Sequence, residues 1–180
     1  MRRGTLAIAA GLGILLAGAS SVSAQADDGP AITARVHGTF VDRSGGTGVL
    51  SGDMTIVRFE LRVDTVVAIG RIAGALADSK GVVLGLVEQE LQLPVGAVDS
   101  TCNQLRMDLG GADADVLQTR VHFDPETAGF DSRDGATPKA LRVLCAAGDL
   151  LRRKPTAGDV TKALNDIAAT LRARASRQSD

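Results

Sequence analysis

Hydrophobic and polar residues alternate along the first two thirds of the chain, and that alternation predicts its strands. Ile32, Ala34, Val36, Gly38 and Phe40 face one way, against Thr33, Arg35, His37 and Thr39 on the other, the period of a half-buried strand. Ser44, Gly45 and Gly46 break it. In the next stretch, residues 48–95, Leu50, Gly52, Met54 and Ile56 share a face, and then the phase slips so that Val57, Phe59, Leu61 and Val63 alternate with Arg58, Glu60 and Arg62. A one-residue slip turns every side chain to the opposite face, so a bulge or bend is expected at Ile56-Val57. Residues 66–76 are apolar on both faces apart from Arg71, which predicts a strand covered on both sides. Gly70 and Gly74 within it suit a bulge, a bend or the close approach of another backbone. Asp78, Ser79, Lys80 and Gly81 form a four-residue turn signal, and residues 82–93 return as the partner strand, with Pro94 as its expected end.

After Val95 the pattern thins. Cys102, Leu105, Met107 and Leu109 fit either a strand or the start of a helical turn, Gly110-Gly111 interrupts, and Leu117, Thr119, Val121 and Phe123 give another strand. Residues 124–136, rich in Gly and Asp, read as a surface loop. The period then changes to that of helices. Thr137 is a fair N-cap with Pro138 at the first helical position, and Leu141, Leu144, Cys145, Gly148 and Leu151 recur on one stripe before Pro155. Thr156 with Asp159 three residues on has capping-box spacing, and Val160, Ala163, Leu164, Ile167, Ala168 and Leu171 line the face of a second helix. The expected fold is therefore α+β: a curved antiparallel β-meander of about six strands, with two C-terminal helices packed on one face. An all-β sandwich or barrel with a helical appendage is the alternative.

The N-terminus changes the picture of where the chain goes. Arg2 and Arg3, the uncharged apolar residues 6–17 and the small residues Val22-Ser23-Ala24 have the layout of an export signal. The apolar run is well short of the ~20 residues that span a bilayer. The expected organisation is a signal peptide at residues 1–24, a flexible leader at 25–31, a single globular domain at 32–173 and a disordered tail at 174–180. The mature chain then has 180 − 24 = 156 residues, one domain's worth, with no transmembrane segment. Removing Arg2 and Arg3 takes the formal charge from −1 to −3. That balance favours neither nucleic acid nor an anionic membrane as partner. Four Phe with no Trp or Tyr leave few stacking platforms or aromatic hot spots. Cys102 and Cys145, an even count in an exported chain, are expected to form one disulfide that ties the helices back.

The run Gly48, Leu50, Gly52, Met54, Ile56, Phe59, Val67-Ala68, Gly70, Ile72 and Gly74 resembles a group of small secreted bacterial proteins of unknown function. So do Ser79, Gly81-Val82-Val83, Gly85, Leu93-Pro94-Val95, Cys102, Leu105, Leu109-Gly110 and Val143-Leu144-Cys145. Some members carry the name ABC-transporter substrate-binding protein. The resemblance implies a secreted chain, covers most of the mature sequence and supplies no catalytic residues. Receptors of the named type close two α/β lobes around a ligand, whereas 156 residues without βαβ alternation suit one domain.

Few residues of the chain carry candidate chemistry. His37 and His122 fall on the solvent faces of their strands and would share a metal, with Asp124 as third ligand, only if those strands were neighbours. Asp113 with Asp115, and Asp131 with Asp134, lack the ladder of a calcium loop. There is no G-x-S-x-G elbow and no phosphate-cradling glycine loop with a lysine. Cys102 as a nucleophile competes with the disulfide. No catalytic, cofactor or metal residue is assigned and no cofactor is expected. The expected function is that of a secreted or envelope-associated non-enzymatic protein, a structural or interaction module whose partner would be an envelope protein. The alternative is a carrier for a small apolar ligand, possibly in connection with transport, and an enzyme using the two histidines is the third reading.

Overall fold

The computed structural model describes residues 31–178, with side chains as far as Ala173. The expected signal peptide and all of the leader but Ala31 lie outside the described residues. The elements are β1 (Thr33–Val41), β2 (Thr47–Arg62), β3 (Thr65–Ala77), β4 (Val83–Ser100), β5 (Gln104–Leu109), β6 (Ala112–Val116), β7 (Thr119–Phe123), β8 (Glu126–Asp131), one 3-10 turn (Ser132–Asp134), α1 (Pro138–Leu151) and α2 (Ala157–Gln178). The class is mostly antiparallel sheet with two C-terminal helices, but the sheet has eight strands where the pattern suggested about six.

The sheet also closes. β1 to β5 pair consecutively and antiparallel, β5 pairs with β8, and β8 returns to β1 at Thr33 and Ala34. β7 takes the other half of the same β1 edge, at Gly38 and Thr39, and β6 pairs with β7. The wall is thus built from β5 and β8 at one end of the barrel and from β6 and β7 at the other. β5 reaches β4 only from Val95 to Ser100, so along the first half of β4 the neighbouring strand is β6. No ladder joins those two; the Gln89 side chain donates to the Asp115 carbonyl at 3.1 Å instead.

The interior is filled. Phe40, Leu50, Met54, Ile72, Leu76, Val87, Leu91, Leu93, Met107, Val121 and Phe123 are all buried in one cluster. A barrel this narrow must alternate large and small residues, and glycines on β2 and β3 make the room. Gly52 and Gly74 face each other across the β2–β3 ladder, where a Cβ on either would come within 2.8 Å of the other's Cα. Of the options the sequence left for Gly74, close backbone approach is the one adopted. The expected bulge is present as well: the β2–β3 register shifts between Ile56 and Arg58, leaving Val57 unpaired and returning Phe59 to the inside.

Several expectations are corrected. Pro94 does not end its strand, because it sits where β4 changes partners: β3 pairs with it as far as Pro94, and β5 takes over from Val95. A missing N–H costs little at such a handover. The loop expected at 124–136 contains β8, whose Ala128 and Phe130 are buried. The outer face of β3 is not covered by another layer. Ile69 is 0% exposed there because Arg58 and Gln92 flank it in register, within a chain of polar contacts that links Arg58, Glu60, Arg62, Glu90 and Gln92. Long stems of charged side chains cover apolar surface in this way.

The helices sit against one end of the barrel, not on an open face. α1 packs on β4, α2 on β2 and β3, and each on the other. The caps are those expected: Thr137 Oγ1 accepts from Ala140 N–H at 3.2 Å, and Thr156 and Asp159 form a reciprocal capping box. Contact with the barrel is close. A Cβ on Gly148 would fall 2.5 Å from the Ser100 carbonyl, and the buried Ser100 hydroxyl donates to the Leu144 carbonyl at 3.1 Å. Cys102 and Cys145 form the expected disulfide, 43 residues apart, between the β4–β5 turn and α1. α2 is helical as far as Gln178, past the point at which the pattern placed a disordered tail. Ala and Arg, both strong helix formers, carry it beyond Leu171, its last buried anchor. Among the described residues no helix is long and apolar enough to cross a membrane.

Candidate functional site

The end of the barrel opposite the helices is open. Here the β1–β2 turn and the β3–β4 turn stand beside the β6–β7 turn around a hollow of about 500 Å³. Its floor is apolar and continuous with the core, being formed by Phe40 and Leu76. Leu84 and Leu117 line it while remaining about half exposed, at 53% and 51%. Leu117 folds over Gly85, where an added Cβ would lie 2.7 Å from its Cδ1.

The rim is polar and its frame is locked by one carboxylate. Asp42 Oδ1 accepts from Ser44 N–H, the Ser44 hydroxyl and Gly46 N–H, while Oδ2 accepts from Ser79 N–H at 3.0 Å and from the Ser79 hydroxyl. The β1–β2 turn is thereby laced to the β3–β4 turn across the mouth. The Ser79 hydroxyl, then the Ser44 hydroxyl, and then the Ser79 N–H hold the Asp42 carboxyl far below the ordinary carboxylate range. Asp78 is similarly engaged, accepting from Lys80 N–H and Val82 N–H. The side chains of Arg43 and Lys80, by contrast, line the hollow with no hydrogen bond or ion pair to any described residue.

The candidate residues of the sequence lie elsewhere. β1 and β7 are indeed neighbours, with Thr39 opposite His122 and Asp124 N–H donating to the His37 carbonyl at 3.0 Å. Each histidine ring is nevertheless engaged by its own carboxylate: His37 Nδ1 lies 2.7 Å from Glu126 Oε1, and His122 Nδ1 lies 2.8 Å from Asp113 Oδ1. Among the described residues no group of three or more His, Cys, Asp or Glu could hold a metal ion. Asp113 and Asp115 point outward from β6 on either side of Arg120, at 3.6 and 3.9 Å. The hydrogen bond from His122, followed by the charge of Arg120, lowers the Asp113 carboxyl. Asp131 caps the 3-10 turn that includes Asp134, and its pairing with Arg133 pulls it down to about 2. Cys102 is oxidised in the disulfide and is no nucleophile.

Two further surface features lie outside the mouth. A groove of about 700 Å³ runs between α1 and α2, lined by Lys139, Arg142, Val143 and Ala146 on one side and Asp166, Ala169 and Thr170 on the other, and it lies open to solvent. On the outer wall near the mouth, Val49, Val83 and Leu86 stand exposed along adjoining rows of β2 and β4. The sequence does not single out the mouth: Lys80 falls within a turn signal and Leu117 within a strand pattern. The signal that was present was Asp42-Arg43-Ser44-Gly45-Gly46, an Asx-turn sequence able to anchor a loop. Compared with known protein families, curated proteins and solved structures, the chain finds no match in any of the three.

Proposed function

We propose that the protein is an exported, non-enzymatic binding module that takes a small apolar ligand at the open mouth of its barrel. The observation that carries this reading is the hollow of about 500 Å³ floored by Phe40 and Leu76, above an interior that is otherwise filled. Ligand sites are concave, mostly apolar and furnished with a few polar groups, typically ~300–1,000 Å³ in volume. The filled interior moves the carrier reading from a lumen to the mouth. Export is supported by the layout of residues 1–24 and by the disulfide, which persists in oxidising compartments. A non-enzymatic role is supported by the lining itself: it includes no His or Cys, and its two carboxylates are engaged by turn hydrogen bonds.

The test is titration with a neutral solvatochromic dye such as Nile red. Saturable, blue-shifted binding is expected. Leu117→Asp should weaken it by roughly tenfold or more, since a charge replaces an apolar wall. Leu117 has φ of 47°, a left-handed conformation that Asp tolerates better than Leu, so this variant should fold. Leu86→Lys, on the outer wall, should leave binding unchanged. Dye uptake that is unaffected by Leu117→Asp, or lost equally in both variants, sinks the reading and leaves a structural or protein-interaction role.

A further inference from the structure

We infer that the mouth selects an anionic amphiphile: an aliphatic chain seated on Phe40 and Leu76, with a carboxylate, sulfate or phosphate headgroup held by Arg43 and Lys80. This rests on the mouth being the binding site and adds which class of ligand it takes. The rim carries two acids and two cations, so its net charge decides nothing; what decides is which groups are free. Asp42 spends both carboxylate oxygens on five donors, and Asp78 accepts from two backbone N–H groups of its own turn. A cationic or donor-rich headgroup therefore finds a single unengaged carboxylate oxygen, Asp78 Oδ2, against two unengaged cationic side chains. The Arg43 and Lys80 side chains keep all their donors, and both residues lie on the lining of the hollow.

The frame makes the pair more than two surface cations. Arg43 follows Asp42 in the β1–β2 turn, and Lys80 follows Ser79 in the β3–β4 turn. The Asp42–Ser79 hydrogen bonds fix those two turns to each other. The backbone positions that carry the cations are thus set before any ligand arrives, which lowers the ordering cost of binding. Arg offers a planar fork and Lys a mobile point charge, a combination that accepts a carboxylate or a tetrahedral oxyanion. Below them the nearest surface is apolar, so a headgroup and a tail are accommodated together. The protein places no aromatic ring beside the cations except Phe40 on the floor.

The experiment is displacement of Nile red from the full mature chain by decanoate, decanol and decyltrimethylammonium, each below its micellar concentration and at two salt concentrations. Decanoate should compete best and lose affinity as salt rises. Arg43→Gln and Lys80→Gln should each weaken decanoate by roughly threefold, and the double variant by about tenfold, with decanol unaffected. Both residues are exposed, and unchanged melting of the double variant would show that the fold is intact. Equal competition by decanol and decanoate, with the double variant binding both as the parent does, overturns the headgroup assignment and leaves the mouth as an apolar site. Failure of all three to displace the dye overturns both readings. Binding of phosphatidylglycerol vesicles without binding of monomeric decanoate overturns the assignment in favour of a membrane surface.

Discussion

Asp42 takes up five donors from two turns, which makes a surface carboxylate a structural part of the fold. Its pKa is lowered in the folded state, so its contribution to stability is complete above the ordinary carboxylate pKa of ~4 and is lost as the pH falls toward the lowered value. Asp42→Asn keeps one acceptor but turns an amide N–H₂ toward donors. The variant should be less stable than the parent at pH 7, by a margin that stays constant down to about pH 5 and narrows below about pH 4. Urea unfolding of both proteins between pH 2 and 8 measures it. Glu60, Asp113, Asp131 and Asp159 are shifted in the same direction, so both curves fall in acid, and only their difference reports Asp42. Parallel curves down to pH 2 would show that the carboxylate does not hold the turns.

Among the elements, β2 presents a problem that α2 solves. β1 pairs with β2 only as far as Thr33 opposite Thr55, with one more bond from Ile56 N–H to the Ile32 carbonyl, so the rest of β2 runs on without a strand on that edge. The Asn165 side chain stands in for the missing peptide: its Oδ1 accepts from Phe59 N–H at 2.9 Å, and its Nδ2 donates to the Phe59 carbonyl at 2.8 Å. Asn165→Leu, close in size, leaves both backbone groups unpaired beside a partly buried helix and should cost about 2 kcal/mol. Asn165→Asp keeps the acceptor and should cost less. Loss of less than about 0.5 kcal/mol on Asn165→Leu, from the urea midpoint, would refute the role. Asn165 also marks where reading from sequence stops. The bulge at Val57, the Asp78–Gly81 turn and both helix caps are set by residues a few positions apart, and they were legible. β6 and β8 were not: Ala112, Ala114, Ala128 and Gly129 carry too little hydrophobicity to announce a strand, and pairing makes them one, β6 with its hairpin neighbour β7 and β8 with β5 and the distant β1. Arg43 and Lys80 meet at the mouth only because β1, β2, β3 and β4 set the turns side by side.

On the scale of the whole molecule the two ends of the barrel are held with unequal strength, and the weaker end is the one that carries the mouth. At the helix end, α1, the disulfide and the Gly148–Ser100 contact hold the end of β4 and the β4–β5 turn, while α2 packs on β2 and β3. At the mouth end the β6–β7 hairpin pairs with β1 at Gly38 and Thr39, and it meets β4 through the Gln89 side chain and through Leu117 lying over Gly85. Local opening follows the places with the fewest backbone hydrogen bonds and buried contacts, so the hairpin should open first. In hydrogen exchange followed by mass spectrometry, peptides covering residues 112–123 should exchange faster than those covering 104–109 and 126–131. Gln89→Ala removes one hydrogen bond, worth about 1 kcal/mol, and should speed exchange in 112–123 while leaving the other two segments near their parent rates. An amphiphile bound at the mouth touches Leu117, so it should slow exchange in the hairpin and nowhere else to the same degree. Equal protection of both wall segments, or Gln89→Ala acting on all three alike, would mean that the β4–β6 seam is as strong as a ladder.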